Sequence, residues 1–302
     1  MTKARKILVP VDFGDTATVA ARAASRMAEA LDATIVALYA DSFLPPVAYA
    51  DIPVAWYSEN VEELKTAAAQ KLASFLGEHV AAGVDIEPRI VADTPVHAIL
   101  SIATTEPIEM IVMGTHGRSG WKRALLGSIA ESVLHETDVP VLTIRHSESK
   151  PFEGTTGVRR VLCPVNYSDV AREALGKAVA LADAFDAEVY VVHVVEAANH
   201  PVSDAEADEL REWIPSELRY RCCYKELVIH GNAAEQVIDL ARKIEADLIV
   251  IGAQHKRFFD STVIGTTTDR IVRHSHCPVL TVTRPAGEPA QVRDEAAIAH
   301  DD

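Results

Sequence analysis

Basic residues are in short supply in this chain. Its 29 Lys and Arg face 44 Asp and Glu, for a formal net charge of −15. That balance argues against a nucleic-acid partner, which needs a surplus of Lys and Arg on one face. A small anionic ligand stays open, since backbone N–H groups and a helix N-terminus hold phosphate without net positive charge. Cysteine is also scarce. Cys163, Cys222, Cys223 and Cys277 are the only four in 302 residues; two are adjacent and none lies in the first half. With no C-x-x-C pair they make poor material for a disulfide framework and suit a reducing compartment. No uninterrupted apolar run reaches the length of a membrane span. The opening MTKARKILVPVDF passes from a short basic lead into an apolar strand without the core or cleavage site of a signal peptide. The expectation is a cytoplasmic protein with neither membrane nor nucleic acid as partner. Several catalytic signatures are missing as well. There is no Gly-x-Ser-x-Gly elbow, no G-x-x-x-x-G-K-[S/T] loop and no G-x-G-x-x-G after the first strand, which disfavours nucleophile-elbow hydrolysis, P-loop phosphoryl transfer and dinucleotide redox chemistry.

What the chain does have is a repeat. RKILVPVDFGDTATVAARAASRMAEAL near the start returns as RRVLCPVNYSDVAREALGKAVALADAF from Arg159, IEMIVMGTHG as ADLIVIGAQH, and DVPVLTIR as HCPVLTVT. Asp93 to Ile144 aligns with Gly231 to Val282 without a gap, and the copies differ in length mainly in Ser42 to Asp85. A duplication of this kind predicts two similar domains. Within each copy, apolar runs of strand length alternate with segments of helical period. The first copy reads as strands KILVPVD, ATIVALYA, DIEPRIVA, MIVMG and PVLTI, with helices near Thr16–Leu31, Val61–Ala82, Thr94–Thr104 and Gly127–Glu136. Such alternation implies an α/β fold with a mostly parallel sheet covered on both faces. Thr94-Pro95 reads as an N-cap with proline in the first turn, and Asn232 with Glu235 as a capping box. The boundaries expected are a first domain over 1–146, a polar, breaker-rich linker over 147–157, a second domain over 158–284 and an unstructured tail over 285–302.

One stretch of the first copy asks for a chemical reason. In GTHGRSGWKRALLGSIAE, Gly114, Gly117 and Gly127 stand at spacings that serve neither helix nor strand packing, and Ser128 follows the last. Gly114 ends a strand, so the loop emerges where open α/β sheets bind ligands. Glycine admits positive φ and close backbone approach, and successive N–H groups can form an anion nest. Gly127 and Ser128 then open a helix whose first N–H groups and dipole favour phosphate, and Arg118 can add a charge-assisted contact. The competing reading is a long loop with glycines for turn geometry and Ser128 as an ordinary N-cap.

GTHGRSGWKRALLGS matches the G-x2-G-x9-G-[S/T] motif of the universal stress protein family, with Gly114, Gly117, Gly127 and Ser128 in place. The flanks ILVPVD, IVMGTHGRSG and AESVLHETDVPVLTI fit too, and both halves of the chain resemble a tandem member of that family. The resemblance implies two domains of the adenine nucleotide alpha hydrolase-like type, each a five-stranded parallel sheet with helices on both faces, paired through their last strands. It also implies that Asp12, at the end of the first strand, holds the adenine–ribose end of ATP. Backbone near Tyr39 and Ala40 would face the base, and the glycine loop, Arg118 and Ser128 would take the phosphates with Mg2+ among them. Read from residues alone, Asp12 serves equally as a cap for the helix from Thr16. Family members often dimerise through their final strands, so a tandem chain can make that pairing internally as a pseudo-dimer, with a homodimer of chains and a further protein partner left open.

The second copy departs from the motif. Gly114 and Gly127-Ser128 meet Gly252 and Gly265-Thr266, but Gly117 meets His255, Gly120 meets Phe258 and Asp12 meets Asn166. A side chain where the backbone should approach phosphate, and the loss of a charged acceptor, imply a copy without standard ATP binding. Lys256 and Arg257 in QHKRFFDSTVIG offer an anion another geometry. His274, His276 and Cys277 form one crowded cluster and not the paired spacing of a zinc site, so no metal site is expected there. His193 reads as a packed strand residue. The function implied is an ATP-binding, nucleotide-responsive stress module. The alternatives are a slow ATPase or other nucleotide-processing enzyme, against which stands the lack of S-G-G-x-D-S and H-x-G-H signatures, and a purely structural tandem.

Overall fold

The computed structural model describes residues 5–42, 54–115, 126–145, 148, 152, 157–196, 201–253, 255–258 and 261–283. The first copy runs β1 (Arg5–Pro10), α1 (Asp15–Leu31), β2 (Ala33–Ala40), α2 (Val54–His79), β3 (Ile86–Val91), α3 (Pro95–Thr105), β4 (Ile108–Gly114), α4 (Ser128–Glu136), β5 (Val141–Ile144). The second runs β6 (Arg160–Val165), α5 (Asp169–Phe185), β7 (Glu188–Val195), α6 (Asp204–Trp213), a short 3-10 turn at Ser216–Leu218, β8 (Tyr224–His230) and α7 (Ala233–Lys243). It continues through β9 (Leu248–Ala253), a hairpin of β10 (His255–Phe258) and β11 (Ser261–Ile264), α8 (Thr266–His274) and β12 (Val279–Thr283).

All the main strands join one sheet in the order β3-β2-β1-β4-β5-β12-β9-β6-β7-β8. Each copy is parallel within itself, and the seam is the antiparallel pair of β5 and β12. There Leu142 faces Leu280, its own counterpart in the repeat, so a pseudo-twofold axis passes through that pair. The tandem therefore closes two strand edges that separate domains would expose. Near-continuous β-branched and apolar runs such as LIVIGA suit strands covered on both faces. One apolar layer, under α1, α2, α5 and α6, runs through both copies. The other, under α3, α4, α7 and α8, does the same. Alanines 17, 20, 21, 23, 24 and 28 form most of the buried face of α1 and let that helix lie close to the sheet.

Several local expectations need correction. Helix α2 starts at Val54, seven residues ahead of the expected Val61, and takes in Trp56 and Tyr57. Thr94 holds the N-cap position of α3 but makes no side-chain cap; its own N–H donates to Asp93 Oδ1 at 2.6 Å, and Pro95 supplies the first turn. Asn232 does cap Glu235 N–H at 3.2 Å, while the Glu235 carboxylate turns to Arg270 at 3.0 Å. The complete capping box is at Ser203 and Glu206. Within the expected linker, Glu148 and Phe152 are buried, Phe152 in the layer shared by both copies. The tail over 285–302 lies outside the described residues.

Candidate functional site

Strand β1 lies between β2 and β4, so the chain leaves it in opposite directions and a crevice opens at the carboxyl ends of the strands. A cavity of about 360 Å³ occupies that place, within the range of small-ligand sites. Asp12, Tyr39, Ala40, Gly114, Gly127 and Ser128 all line it. They come from four separate segments: the ends of β1, β2 and β4, and the start of α4. Gly117 and Arg118 lie outside the described residues.

Asp12 follows Val11, whose N–H donates to Leu38 O at 2.8 Å and extends the β1–β2 ladder by one step. Its Oδ1 accepts from Gly14 N–H at 2.9 Å, and Gly14 is itself the N-cap of α1. Asp12 thus forms the turn ahead of the helix and is not its cap. Between them Phe13 takes φ 64°, uncommon for a bulky residue. This turn sets the Phe13 ring 5.0 Å from Tyr39 and under the Lys71 ammonium, which is 4.2 Å from the ring centroid. The β1–β2 register ends at Pro10 and Leu38. By strand alternation, Ala40 turns its backbone N–H and C=O to the β1 side, at the cavity, and Tyr39 turns its own toward β3. Tyr39 Oη donates to Asp41 Oδ2 at 3.0 Å.

Gly114 has a physical reason beyond loop geometry. A Cβ there would lie 2.5 Å from Thr16 Cβ and 2.7 Å from Thr16 Oγ1. Its counterpart Gly252 is placed alike, 2.8 Å from the carbonyl carbon and oxygen of Val170. Both glycines let the first helix of their copy cross the fourth strand, which explains why the degenerate copy keeps this position. Thr115 O accepts from Gly127 N–H, tying together the two ends of the intervening loop.

Gly127 is the N-cap of α4 in extended conformation, φ −66° and ψ 148°, with no side chain to offer the first turn. Ser128 is the first helical residue, so it is not the ordinary cap of the competing reading. Ser128, Ile129 and Ala130 all line the cavity, which places first-turn amides and the helix dipole at its wall. Sequence reasoning missed Thr16, Ile99, Met113 and Thr115, also in the lining. Thr115 was within reach, inside the GTHG of the motif; Ile99 and Met113 read only as core.

The equivalent region of the second copy is built differently. Asn166 Oδ1 accepts from Ser168 Oγ at 2.7 Å, and Ser168 caps α5 through Ala171 N–H at 3.3 Å. Tyr167 repeats the positive φ of Phe13, at 60°, and stacks on His193 with centroids 4.2 Å apart. His193 Nδ1 donates to Val165 O at 2.9 Å, and the residue is a packed strand side chain as expected. Trp213 Nε1 donates to Tyr167 O at 3.2 Å, closing an aromatic cluster with Arg172 over its ring. The chain after β9 folds back as the β10–β11 hairpin, whose strand β11 lies against α4 of the first copy. Among the described residues, no group of three or more His, Cys, Asp or Glu could hold a metal ion. Burial pushes the Cys277 thiol well above its ordinary range and lowers the His276 pKa. No helix among the described residues is long and apolar enough to cross a membrane.

A doubly wound α/β sheet with a ligand-sized crevice at its switch point defines the class. Comparison with known proteins gives the family: the universal stress protein family pattern matches residues 3–145 and 157–283, and the chain belongs to that family, with two units in tandem. A universal stress protein of Methanocaldococcus jannaschii is 30% identical over 144 residues, spanning 43% of this chain and 85% of the relative. One of Mycolicibacterium smegmatis is 23% identical over 294 residues, spanning 92% of this chain and 97% of the relative. The crystal structure of a universal stress protein from Archaeoglobus fulgidus superposes with a TM-score of 0.73 at 21% identity, covering 92% of this chain and 98% of that one, which establishes the shared fold.

Proposed function

We infer that the first copy binds an adenine nucleotide, ATP with Mg2+, and that the protein is a nucleotide-responsive binding module. The observation that carries this reading is the convergence of six expected site residues from four chain segments on one cavity of about 360 Å³. An Asp carboxylate, the Ala40 backbone and the first-turn amides of α4 all stand at its wall. These groups complement the two ends of the ligand: acceptors and donors for base and ribose, and uncapped N–H groups with a positive dipole end for phosphate. Mg2+, held among the phosphates, would neutralise charge that this acidic chain does not. Asn166, bonded to Ser168, and the hairpin at the loop position support a second copy without this site.

The test is to denature protein purified without added nucleotide and quantify adenine nucleotide per chain, then repeat after saturation with Mg-ATP. About one per chain is expected, and Ser128→Ala should weaken ATP about fivefold through loss of one hydroxyl donor to phosphate. Two per chain would overturn the assignment to the first copy, and none at saturation would overturn nucleotide binding. Phosphate release that is steady in the wild type and lost in Gly117→Ala would make the module an ATPase.

A further inference from the structure

Helix α4, whose amino end forms the phosphate side of the cavity, is held along its length by the second copy. At its first turn, Arg273 of α8 donates through Nη2 to Glu131 Oε1 at 2.8 Å, while Arg273 Nε binds both oxygens of Asp269 at 2.8 and 2.9 Å. At its last turn, Thr283 Oγ1 donates to Thr137 O at 3.2 Å. Strand β11 also lies against it. In the other direction, Arg145 donates to Val272 O and Ser275 O at the end of α8. The end contacts are thus roughly symmetric about the seam, but the first-turn contact is not. By the same alignment that pairs Gly114 with Gly252, the counterpart of Arg273 is His135 and that of Glu131 is Asp269. The arginine crosses the seam in one direction only, from the copy without the motif to the copy with it.

The position of Glu131 gives this asymmetry a purpose. Glu131 lies three residues beyond Ser128, about 4.5 Å further along the axis and near the same face. A carboxylate there repels any phosphate held by the amides of the first turn. Arg273 is largely buried, its side chain 21% exposed, and is pinned by Asp269, so its charge is fixed on Glu131. We propose that Arg273 of the second copy is a positioning and charge-compensating residue for the nucleotide site of the first, making that site dependent on the seam between the copies. The inference rests on the nucleotide reading given above.

The compensation must grow with ligand charge. At a separation of about 9 Å and intermediate effective dielectric, an exposed Glu131 carboxylate weakens binding about three- to tenfold for each unit of phosphate charge at that distance, so most for a triphosphate, less for a diphosphate, and not for an uncharged nucleoside. Calorimetric titration of the full chain with ATP, ADP, AMP and adenosine reads this directly. Arg273→Met is expected to show that graded loss, and adding Glu131→Gln to it should restore ATP affinity. Equal loss for ATP and adenosine, or an unrestored double variant, reduces Arg273 to a structural contact and overturns the proposal, as does unchanged ATP affinity. If Arg273→Met does not fold, Glu131→Gln alone decides: ATP should tighten about two- to fivefold with adenosine unchanged, and no tightening overturns the idea. Wild-type protein that binds none of the four ligands removes the nucleotide reading itself, a result distinct from any of these.

Discussion

Replacing Gly114 by alanine tests whether this glycine serves helix packing or ligand approach. The added methyl would meet Thr16 Cβ at 2.5 Å, Thr16 Oγ1 at 2.7 Å and the Thr16 carbonyl carbon at 3.0 Å. Ordinary carbon contacts lie near 3.5–4.0 Å, so strand and helix must separate by about 1 Å. Rotating Thr16 about χ1 cannot relieve the clash, because its Cβ is the nearest atom. Helix α1 would have to move as a body, and nine of its residues are buried against the sheet and its neighbours. Overpacking of this kind costs about 1–3 kcal/mol and occasionally more; with backbone among the contacts, about 3 kcal/mol is expected. That corresponds to roughly 6–12 °C in Tm for domains of this size. Gly252→Ala should cost at least as much, since its methyl would meet only backbone, at 2.8, 2.8 and 2.9 Å from atoms of Val170 and Ala171. Gly265→Ala is the control: nothing lies within 4 Å of its added Cβ and its φ of −55° suits any residue, so only the poorer N-cap preference of alanine counts and the cost should stay within about 1 kcal/mol. Thermal unfolding by circular dichroism measures all three, and Thr16→Gly combined with Gly114→Ala should recover at least about 1 kcal/mol in a double-mutant cycle. A Gly114→Ala protein that melts with the control yet loses nucleotide would refute the packing argument and return this glycine to the ligand.

Three shorter predictions follow from the same structure. Lys6 joins β1 to Glu87 and Glu106, both at 2.9 Å, and this partnership holds the Glu87 carboxyl below its ordinary value of 4.5. Its stabilisation is therefore present above pH 4.5 and lost as pH falls through the depressed value, so Lys6→Met should lower stability near neutrality by about 1 kcal/mol, reduced by solvent screening, and flatten the acid limb of a Tm-versus-pH curve. At the seam, Thr143 Oγ1 donates to Val279 O at 3.2 Å, while its counterpart Thr281 Oγ1 is buried without a partner among the described residues. Thr281→Val should be neutral to about 1 kcal/mol stabilising and Thr143→Val destabilising by a similar amount in urea titrations; equal effects would contradict the asymmetry. Tyr167 Oη is likewise buried without a partner among the described residues, and its pKa is pushed up to about 12, first by burial and then by Glu209 and Glu206. Tyr167→Phe should leave stability equal or slightly higher at neutral pH and slow the loss of stability above pH 10, where the unfolded phenol ionises before the folded one.

Much of this fold was legible because the repeat could be read twice. A β-branched run followed by an alanine-rich helical segment has few other solutions, and its recurrence at Arg159 made the duplication plain. The candidate site was legible where chemistry and spacing coincide, at Gly127-Ser128 after a strand end. It was less legible where long-range packing decides. No local pattern reveals that Gly114 faces Thr16 across the sheet, because the reason lies in another element. The start of α2 was obscured because it falls within Ser42 to Asp85, where the copies differ in length and the repeat gives no second reading. The hairpin of β10 and β11 was hidden for another reason: STVI carries three β-branched residues but HKRF carries none, and alignment with the glycine loop of the first copy suggested a loop there too.

The two copies show what a duplicated fold keeps where the sequence motif is not repeated. The packing glycine stays at Gly252, because the helix must still cross the strand. The positive φ stays at Tyr167, because the turn must still reach the first helix. Other positions differ: Asn166 stands where the first copy has Asp12 and bonds within its own turn, and β10 and β11 form a hairpin whose second strand lies on α4 of the first copy. Packing alone would preserve both ends of the seam symmetrically, as Thr283 with Thr137 and Arg145 with Ser275 show. An arginine at position 273 where its counterpart is histidine falls outside that symmetry, and its partner Glu131 stands in the first turn of α4, beside the cavity wall. If the first copy binds nucleotide as proposed, this contact gives the second copy a role there: it sets fixed charge and a strand against the helix that would meet the phosphates.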